Sequence, residues 1–431
     1  MNIVLIGMRG SGKTAVGKIL ARKLGRELIE MDELIVSKAG LSIPEIVARH
    51  GWERFRDLEE EVVAKLSKRR NIVNATGGGV VIREQNVSRL KQNGLLVWLT
   101  ANVDTLLQRI GEDDSRPLLK GKTRREDMEI TLAERQSLYQ KAADIAIDTE
   151  GRTPEAIAET IASVKICCLI GDPVEHSLSP LIHNAAYKAL GINYSYITLQ
   201  VKDIKQAIET IRTDGIRGAS VTTPHKVSAL RYLDCLDPPA EAIGAVNTIV
   251  NDNGVLTGYN TDGDAALKAL EEVTDLGGKR VVLVGSGGAA LAIAAALKEK
   301  NVNMVILNRT EAKARQLAKK VNAEDYGGLE RLSLVTKADI LINATTVGMA
   351  PGTGETIAPR EFLHDRLTIF DIVYNPRETR LLREARARGC AVVYGYRMLL
   401  YQAARQFELF TGRPAPLRVM ESALVQALGG G

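Results

Sequence analysis

Apolar runs rich in Val and Ile alternate with stretches of helical period from one end of the chain to the other. "NIVLI", "LLVWLT", "RVVLVG", "NMVILN" and "DILINAT" are short and continuous, the pattern of strands in parallel sheets. Between such runs come "TAVGKILARKLG" and "AALAIAAALKEK", which carry helical periodicity. The alternation predicts an α/β fold, and no short-period repeat or low-complexity tract interrupts it. A boundary falls near residues 161–166. "RTPEAIAETIASV" reads as a capped terminal helix, with Thr153 as N-cap and Pro154 at the first helical position. The strand-like "KICCLIG" follows without a flexible linker. The expected units are residues 1–164 and 165–431, the second large enough to split into two lobes.

Composition narrows the function classes. The 431 residues, 45% hydrophobic and 25% charged, suit a soluble globular chain of two or three domains. Only 4% are aromatic, which leaves little for a base-stacking nucleic-acid surface. The net charge of +5 is spread evenly, with no basic tail, and decides nothing beyond tolerance of small anions. The cysteines at 167, 168, 235 and 390 form no CxxC pair and read as reduced thiols of a cytosolic protein. The histidines at 50, 176, 183, 225 and 364 have no metal-ligand spacing. No apolar stretch approaches the roughly 18 residues of a membrane span. "NIVLI" is too short for a secretory signal, so the expectation is a cytoplasmic protein without membrane or nucleic-acid partners. A homo-oligomer stays open.

Two separate patterns hold phosphates. In the first, "GMRGSGKT", Gly7-x4-Gly12-Lys13-Thr14 follows a strand and precedes a helix. Backbone N–H groups of Gly10, Ser11 and Gly12 and the helix N-terminus can cradle ATP phosphates. Lys13 reaches the terminal phosphates and the Thr14 hydroxyl ligates Mg²⁺. No Asn-Lys-x-Asp signature points to guanine. "LIEMDELI" places Glu30 and Asp32 at the end of a second strand. "ERFRDLEE", "TGGGVV", "DSRPLL" and "ERQSLYQ" present Arg56, Gly78, Arg116 and Arg135. Taken singly, such arginines are more often solvated helix residues than ligands.

Taken in order after the Gly-rich loop, they make residues 1–164 resemble shikimate kinase. The resemblance implies that Asp32 holds the acceptor hydroxyls and acts as base. It implies that Arg56 and Arg135 clamp the shikimate carboxylate, a task that suits a planar guanidinium. Gly78 would let backbone approach the ring, and Arg116 would close over the phosphates from a lid. Glu30 stands where the family usually has Asp, at the carboxylate that helps place Mg²⁺. The added methylene is expected to alter metal affinity.

The second pattern, "VVLVGSGGAALAIAAAL", reads as strand, Gly-rich turn and helix. Gly285-x-Gly287-x-x-Ala290, with Gly288 and Ala289 inside it, fits the dinucleotide fingerprint, which by itself is a weak signal. The next strand ends in Asn308-Arg309-Thr310, with Lys313 close behind, where an acidic residue would select NAD. Positive charge there favours the 2′-phosphate of NADP. Upstream, "GDPVEHSLSP" offers Ser177 and Ser179 for a carboxylate, and "SVTTPHK" offers Thr222 and Lys226. "GAVNTI" offers Asn247, and "GYNTDG" offers Asn260, Thr261 and Asp262. Lys226 and Asp262 suit proton transfer to a carbonyl oxygen. Asn-Thr-Asp-Gly is equally a turn, and Lys226 equally a surface charge.

In sequence order these motifs, with "NATTVGM" and "GYRMLLYQAA", resemble shikimate dehydrogenase across residues 165–431. The resemblance implies that Lys226 and Asp262 are the catalytic pair, and that Ser177, Ser179, Thr222, Asn247, Tyr374 and Gln402 line the shikimate pocket. Met349 and Gly395 would border the cofactor. It also implies a discontinuous substrate lobe, 165–263 plus 395–431, around a Rossmann NADP lobe, 264–394. The departures are mild: Ser286 for a frequent Ala, Lys313 for Arg and Thr346 for Ser. The fold expected is thus a nucleoside-monophosphate-kinase-like P-loop sheet followed by a two-lobed dehydrogenase. The function expected is NADPH-dependent reduction of 3-dehydroshikimate and Mg-ATP-dependent phosphorylation of shikimate, towards aromatic amino acids. Two other readings stay open. Glu30 can mark a kinase unit reduced to a binding or regulatory module, and the dehydrogenase can prefer quinate or NAD.

Overall fold

The computed structural model describes residues 1–111 and 121–429. The chain divides into two compact units, Met1–Ile166 with Asn193–Gln200, and Cys167–Ile192 with Val201–Gly431. Among the described residues no helix is long and apolar enough to cross a membrane.

The first unit is built on five parallel strands, β1 (Asn2–Ile6), β2 (Glu27–Glu30), β3 (Ile72–Ala75), β4 (Gly94–Thr100) and β5 (Ile145–Asp148). Their order is β2-β3-β1-β4-β5. Every residue of β1 is buried, as expected of a central strand covered on both faces. The Gly-rich loop leaves the carboxyl end of β1 and feeds the helix Lys13–Leu24, so it opens into the crevice at the strand ends. The helix Ile43–Leu66 starts at a capping box, Ser42 with Glu45, and bends at Gly51, where φ is 76°. Phe55, Leu58, Val62 and Val63 on its inner stripe join Val4, Ile6, Ile29 and Leu96 in one core. The terminal helix spans Pro154–Ala162, and the Thr153 hydroxyl accepts the Ala156 N–H as the sequence predicts.

The strands that follow are β6 (Lys165–Gly171), β7 (Tyr194–Gln200), β8 (Gly218–Val221), β9 (Cys235–Leu236), β10 (Thr248–Asp252) and β11 (Val255–Tyr259). Of these, β7 groups with the first unit. In the second unit the others run β6-β8-β10-β11-β9, with β10 antiparallel to both neighbours. The helices Gly395–Thr411 and Leu417–Ala427 return from the end of the chain, and the latter packs on Ser179–Ala189.

Between these segments lies a wholly parallel sheet. Its strands are β12 (Arg280–Val284), β13 (Asn303–Leu307), β14 (Asp325–Gly327), β15 (Ile340–Asn343), β16 (Thr368–Asp371) and β17 (Ala391–Tyr394). Their order, β14-β13-β12-β15-β16-β17, is that of the doubly wound dinucleotide fold. It reverses between β12 and β15, the kind of switch point at which doubly wound sheets bind ligands.

Candidate active sites

The loop 7–12 has a backbone suited to cradling a phosphate. Gly7, Gly10 and Gly12 take φ of 139°, 77° and 92°, a region that L side chains rarely adopt. The Lys13 ammonium donates to the carbonyls of Gly7 (2.9 Å) and Met8 (2.8 Å), which holds it over the loop. The Thr14 hydroxyl donates to Glu30 at 3.0 Å, and Lys18 pairs with the other Glu30 oxygen at 3.5 Å. A hydroxyl beside a carboxylate is the hard oxygen set that Mg²⁺ prefers, so Thr14 and Glu30 fit that ion. Glu30 ends β2, and Asp32 lies in the first turn of the helix Met31–Ala39 rather than in the strand. A cavity of about 780 Å³ joins Gly10, Ser11, Gly12, Lys13 and Thr14 to Glu30, Asp32 and Gly78.

Arg56 and Arg135 do not line that cavity; they converge on the triple-glycine loop beside it. Arg56 is buried, donates to the fully buried Glu59 at 2.7 Å, and sits over the Phe55 ring at 5.1 Å. Its guanidinium occupies the space beside Gly79, where an added Cβ would lie 2.1 Å from Nη2. Arg135 donates to the Gly78 carbonyl at 3.2 Å, and the Tyr139 hydroxyl donates to the same oxygen. Arg116 lies outside the described residues.

The sequence reading missed Glu59 and Tyr139, as well as the cavity residues Arg9, Lys18, Arg109 and Arg152. Arg109 is held by the hydroxyl and carbonyl of Thr149, both at 2.8 Å, and Arg152 by the Thr160 hydroxyl at 2.6 Å. Only the i, i+3 spacing of Arg56 and Glu59 carried a local signal.

In the second unit the Lys226 ammonium donates to Asp262 at 2.5 Å. The Asp262 side chain is 4% exposed and that of Lys226 22%, so the pair is shielded, the lysine less completely. Asn247 fixes the carboxylate from behind: its amide donates to the other Asp262 oxygen at 2.8 Å, and its own oxygen accepts the Thr261 N–H at 2.9 Å. Asn260 accepts the Asp262 N–H and donates to Ala245. Gln406, which the sequence reading also missed, donates to the Asn247 carbonyl at 3.2 Å and accepts from Ser220 at 2.8 Å. It lies one turn beyond the half-buried Gln402 on the returning helix. Ser177 and Ser179 pair their hydroxyls at 3.3 Å, and Ser179 opens the helix Ser179–Ala189. The Thr222 N–H donates to Ile170, which docks it at the end of β6. Burial pushes the Tyr374 phenol up.

The residues of the β12 turn fit a dinucleotide. Gly285 has φ 126°, and an added Cβ would lie 2.6 Å from the Ala344 carbonyl, so only glycine permits this approach. Gly287 caps the helix Gly288–Lys298, which contains Ala289 and whose N-terminal N–H groups suit a pyrophosphate. A Cβ on Gly288 would lie 3.9 Å from Lys226 Cδ, so the turn borders the proton-transfer pair. At the end of β13 the Asn308 amide donates to the Thr310 carbonyl, while Arg309 and Lys313 are exposed, open to a 2′-phosphate. Met349 is 45% exposed on the loop after β15. Gly395 packs without a side chain against the backbone of Ile372 and Val373.

The family model for shikimate kinase matches residues 9–165. Those for the shikimate dehydrogenase substrate binding domain, shikimate/quinate 5-dehydrogenase and the shikimate 5′-dehydrogenase C-terminal domain match 169–249, 267–380 and 395–425. The NADP(+) shikimate dehydrogenase of Moorella thermoacetica is 45% identical over 280 residues, 62% of this chain and 95% of the relative. A crystal structure of shikimate dehydrogenase in complex with NADP⁺ is 41% identical, with TM-score 0.60, over 62% of this chain and 96% of that one. The Thermus thermophilus enzyme in complex with NADP(H) and shikimate is 36% identical, with TM-score 0.57, over 61% and 99%. The chain therefore belongs to the shikimate dehydrogenase family and carries, ahead of that enzyme's fold, a domain of the shikimate kinase family.

Proposed function

We propose that the chain catalyses two consecutive reactions of aromatic biosynthesis, the later one in its first unit. The second unit reduces 3-dehydroshikimate to shikimate, and the first phosphorylates the shikimate 3-hydroxyl. NADPH when bound supplies the hydride, and Mg²⁺ the charge that neutralises the ATP phosphates.

In the reduction the carbonyl carbon gains hydride and its oxygen gains a proton. Lys226 and Asp262 hold that proton at hydrogen-bond distance, and Asn247 keeps the carboxylate aimed. Ser177, Ser179, Thr222, Tyr374 and Gln402 bind the carboxylate and hydroxyls of the substrate. In the phosphorylation the 3-hydroxyl oxygen bonds to the γ-phosphorus of ATP as the bond to ADP breaks. Asp32 takes the hydroxyl proton, Lys13 and the loop amides stabilise the phosphates, and Arg56 and Arg135 anchor the shikimate carboxylate. Positioning and charge supply most of the rate.

The observation that carries this reading is that each unit holds an assembled set of reactive groups. Lys226 and Asp262 meet beside the β12 turn, and one cavity runs from the P-loop to Asp32 and Gly78. The test is a mass-spectrometric time course on 3-dehydroshikimate, NADPH and Mg-ATP. Accumulation of shikimate 3-phosphate is expected. Arrest at shikimate would remove the kinase reading, and no turnover of 3-dehydroshikimate would remove the dehydrogenase reading. Lys13→Ala is expected to abolish phosphorylation alone. Lys226→Met should lower reduction alone, by on the order of 10²–10⁴.

A further inference from the structure

Asp371 ends β16 and is fully covered, yet no role in binding or proton transfer falls to it. Three donors, rather than a cation, meet its carboxylate. Asn343 Nδ2 and the Val373 N–H reach Oδ1 at 2.9 and 3.1 Å, and the Thr379 hydroxyl reaches Oδ2 at 2.6 Å. The direction of each bond is fixed. Val373 N–H can only donate. Thr379 Oγ1 already accepts the Leu382 N–H as helix cap, so its proton points at Asp371. Asn343 Oδ1 accepts the Thr345 N–H at 3.1 Å, so its amide nitrogen faces Asp371.

Asn343 ends β15 where the strand order reverses, Val373 follows β16, and Thr379 caps the helix Arg380–Ala387. Asn343 also donates to the Val347 carbonyl (3.1 Å) and accepts the Thr345 hydroxyl (2.6 Å), which in turn accepts the Val347 N–H (3.1 Å). These bonds shape the loop leading to Met349. Val373 precedes Tyr374. The two segments touch through Ile372 N–H to Asn343 O (3.1 Å) and Ala350 N–H to Asn375 O (3.2 Å).

We propose that Asp371 is a positioning residue for cofactor and substrate binding, holding the loop 345–349 through Asn343 and the Tyr374 segment through Val373 in one fixed relation. The proposal rests on the dehydrogenase reading above. Burial pushes the carboxyl up to about 6 and so works against the anion, while the hydrogen bonds from Thr379, Val373 and Asn343 pull the other way. A neutral, smaller side chain would leave three donors facing nothing, a cost that the two segments can relieve only by moving.

The experiment compares Asp371→Ala and Asp371→Asn in the full chain, with its own shikimate phosphorylation as internal control. For Asp371→Ala the KM values for NADPH and for 3-dehydroshikimate are expected to rise about tenfold or more, with phosphorylation unchanged. NADPH affinity measured by fluorescence without substrate should weaken in parallel. Asp371→Asn keeps the Oδ1 acceptor for Asn343 and Val373 but sets an N–H against the Thr379 hydroxyl, which must turn its proton away, so it should recover the part of the loss that runs through Asn343 and Val373. A fall in kcat at parental KM values in both variants would overturn the proposal, since that is what a smaller folded fraction produces. Parental KM values in Asp371→Ala would overturn it as well. If Asp371→Ala does not fold, Asn343→Ala decides, with the KM for NADPH expected to rise more than that for 3-dehydroshikimate and equal KM changes counting against the proposal. A parent chain without dehydrogenase activity would instead sink the underlying reading.

Discussion

At the scale of single residues the two sites spend their polar groups differently. In the kinase unit Glu30 is bound from two sides, by the Thr14 hydroxyl and the Lys18 ammonium, and its length lets it span both. A shorter carboxylate retracts from one of them. Glu30→Asp is therefore expected to shift the Mg²⁺ concentration at half-maximal phosphorylation several-fold while leaving reduction of 3-dehydroshikimate alone. An unchanged Mg²⁺ titration would show that Glu30 takes no part in placing the ion. In the dehydrogenase unit Asn247 spends its amide nitrogen on Asp262 and Thr261, so the carboxylate needs no movement to face Lys226. Preorganisation of this kind is what a buried hydrogen-bond network contributes to a reaction.

At the scale of elements, the acceptor side of the kinase unit depends on how closely the helix Ile43–Leu66 approaches the loop 77–79. Gly79 has ordinary backbone angles, φ −103° and ψ 2°, so its lack of a side chain matters for space rather than conformation. A methyl group there would meet the Arg56 guanidinium at 2.1–2.4 Å, and the flexible arginine yields before the backbone does. Gly79→Ala should thus fold normally yet displace Arg56 from Glu59, raising the KM for shikimate about tenfold with the KM for ATP nearly constant. Steady-state kinetics in both substrates check this, and equal changes in the two would refute it. The Arg83 guanidinium braces the same contact, bonding Asp57 (2.9 Å), Glu60 (3.0 Å) and Glu53 (3.2 Å) on that helix. Neither contact is visible in a periodicity plot, which records only that one stripe of the helix is apolar.

At the scale of the molecule, pH acts on the second unit through a buried histidine. His183 is fully buried on the helix Ser179–Ala189, near the Tyr187 and Phe410 rings, and burial pushes its imidazole down to about 3 against the opposing pull of Gln406. The unfolded chain takes up that proton below pH 6.5, and the folded one does not until about pH 3. Stability is therefore full above pH 6.5 and falls as the pH drops. The loss at pH 5 is about 2 kcal/mol. Asp371, whose carboxyl is raised to about 6, gains stability as it protonates and offsets part of this, so calorimetry should show the transition of the second unit moving down only modestly between pH 7 and 5. In His183→Asn that movement should be smaller, whatever the variant's stability at pH 7. An equal slope in parent and variant would exclude His183 as the cause.

The sequence by itself determined what is local. The strands β1 and β12, the glycines of the turns behind them and the capped helix at Thr153 are written in contiguous residues, because backbone conformation and hydrophobic period act over a few positions. The α/β class and the candidate pair of Lys226 and Asp262 were legible for the same reason, helped by motifs whose order along the chain is specific. Only the tertiary structure decided who stands behind those groups. Tyr139 reaches Gly78 across 61 residues and Gln406 reaches Asn247 across 159, so no spacing rule connects them. The compact units are themselves discontinuous in sequence, which a boundary drawn from linker signals does not express. Asp371 was hidden for a further reason. A carboxylate at the end of an apolar strand looks like an ordinary exposed terminus until the fold covers it and brings Asn343 and Thr379 to its oxygens. Burial and hydrogen-bond direction are properties of the assembled chain, and these turn an unremarked aspartate into a candidate for holding the site in place.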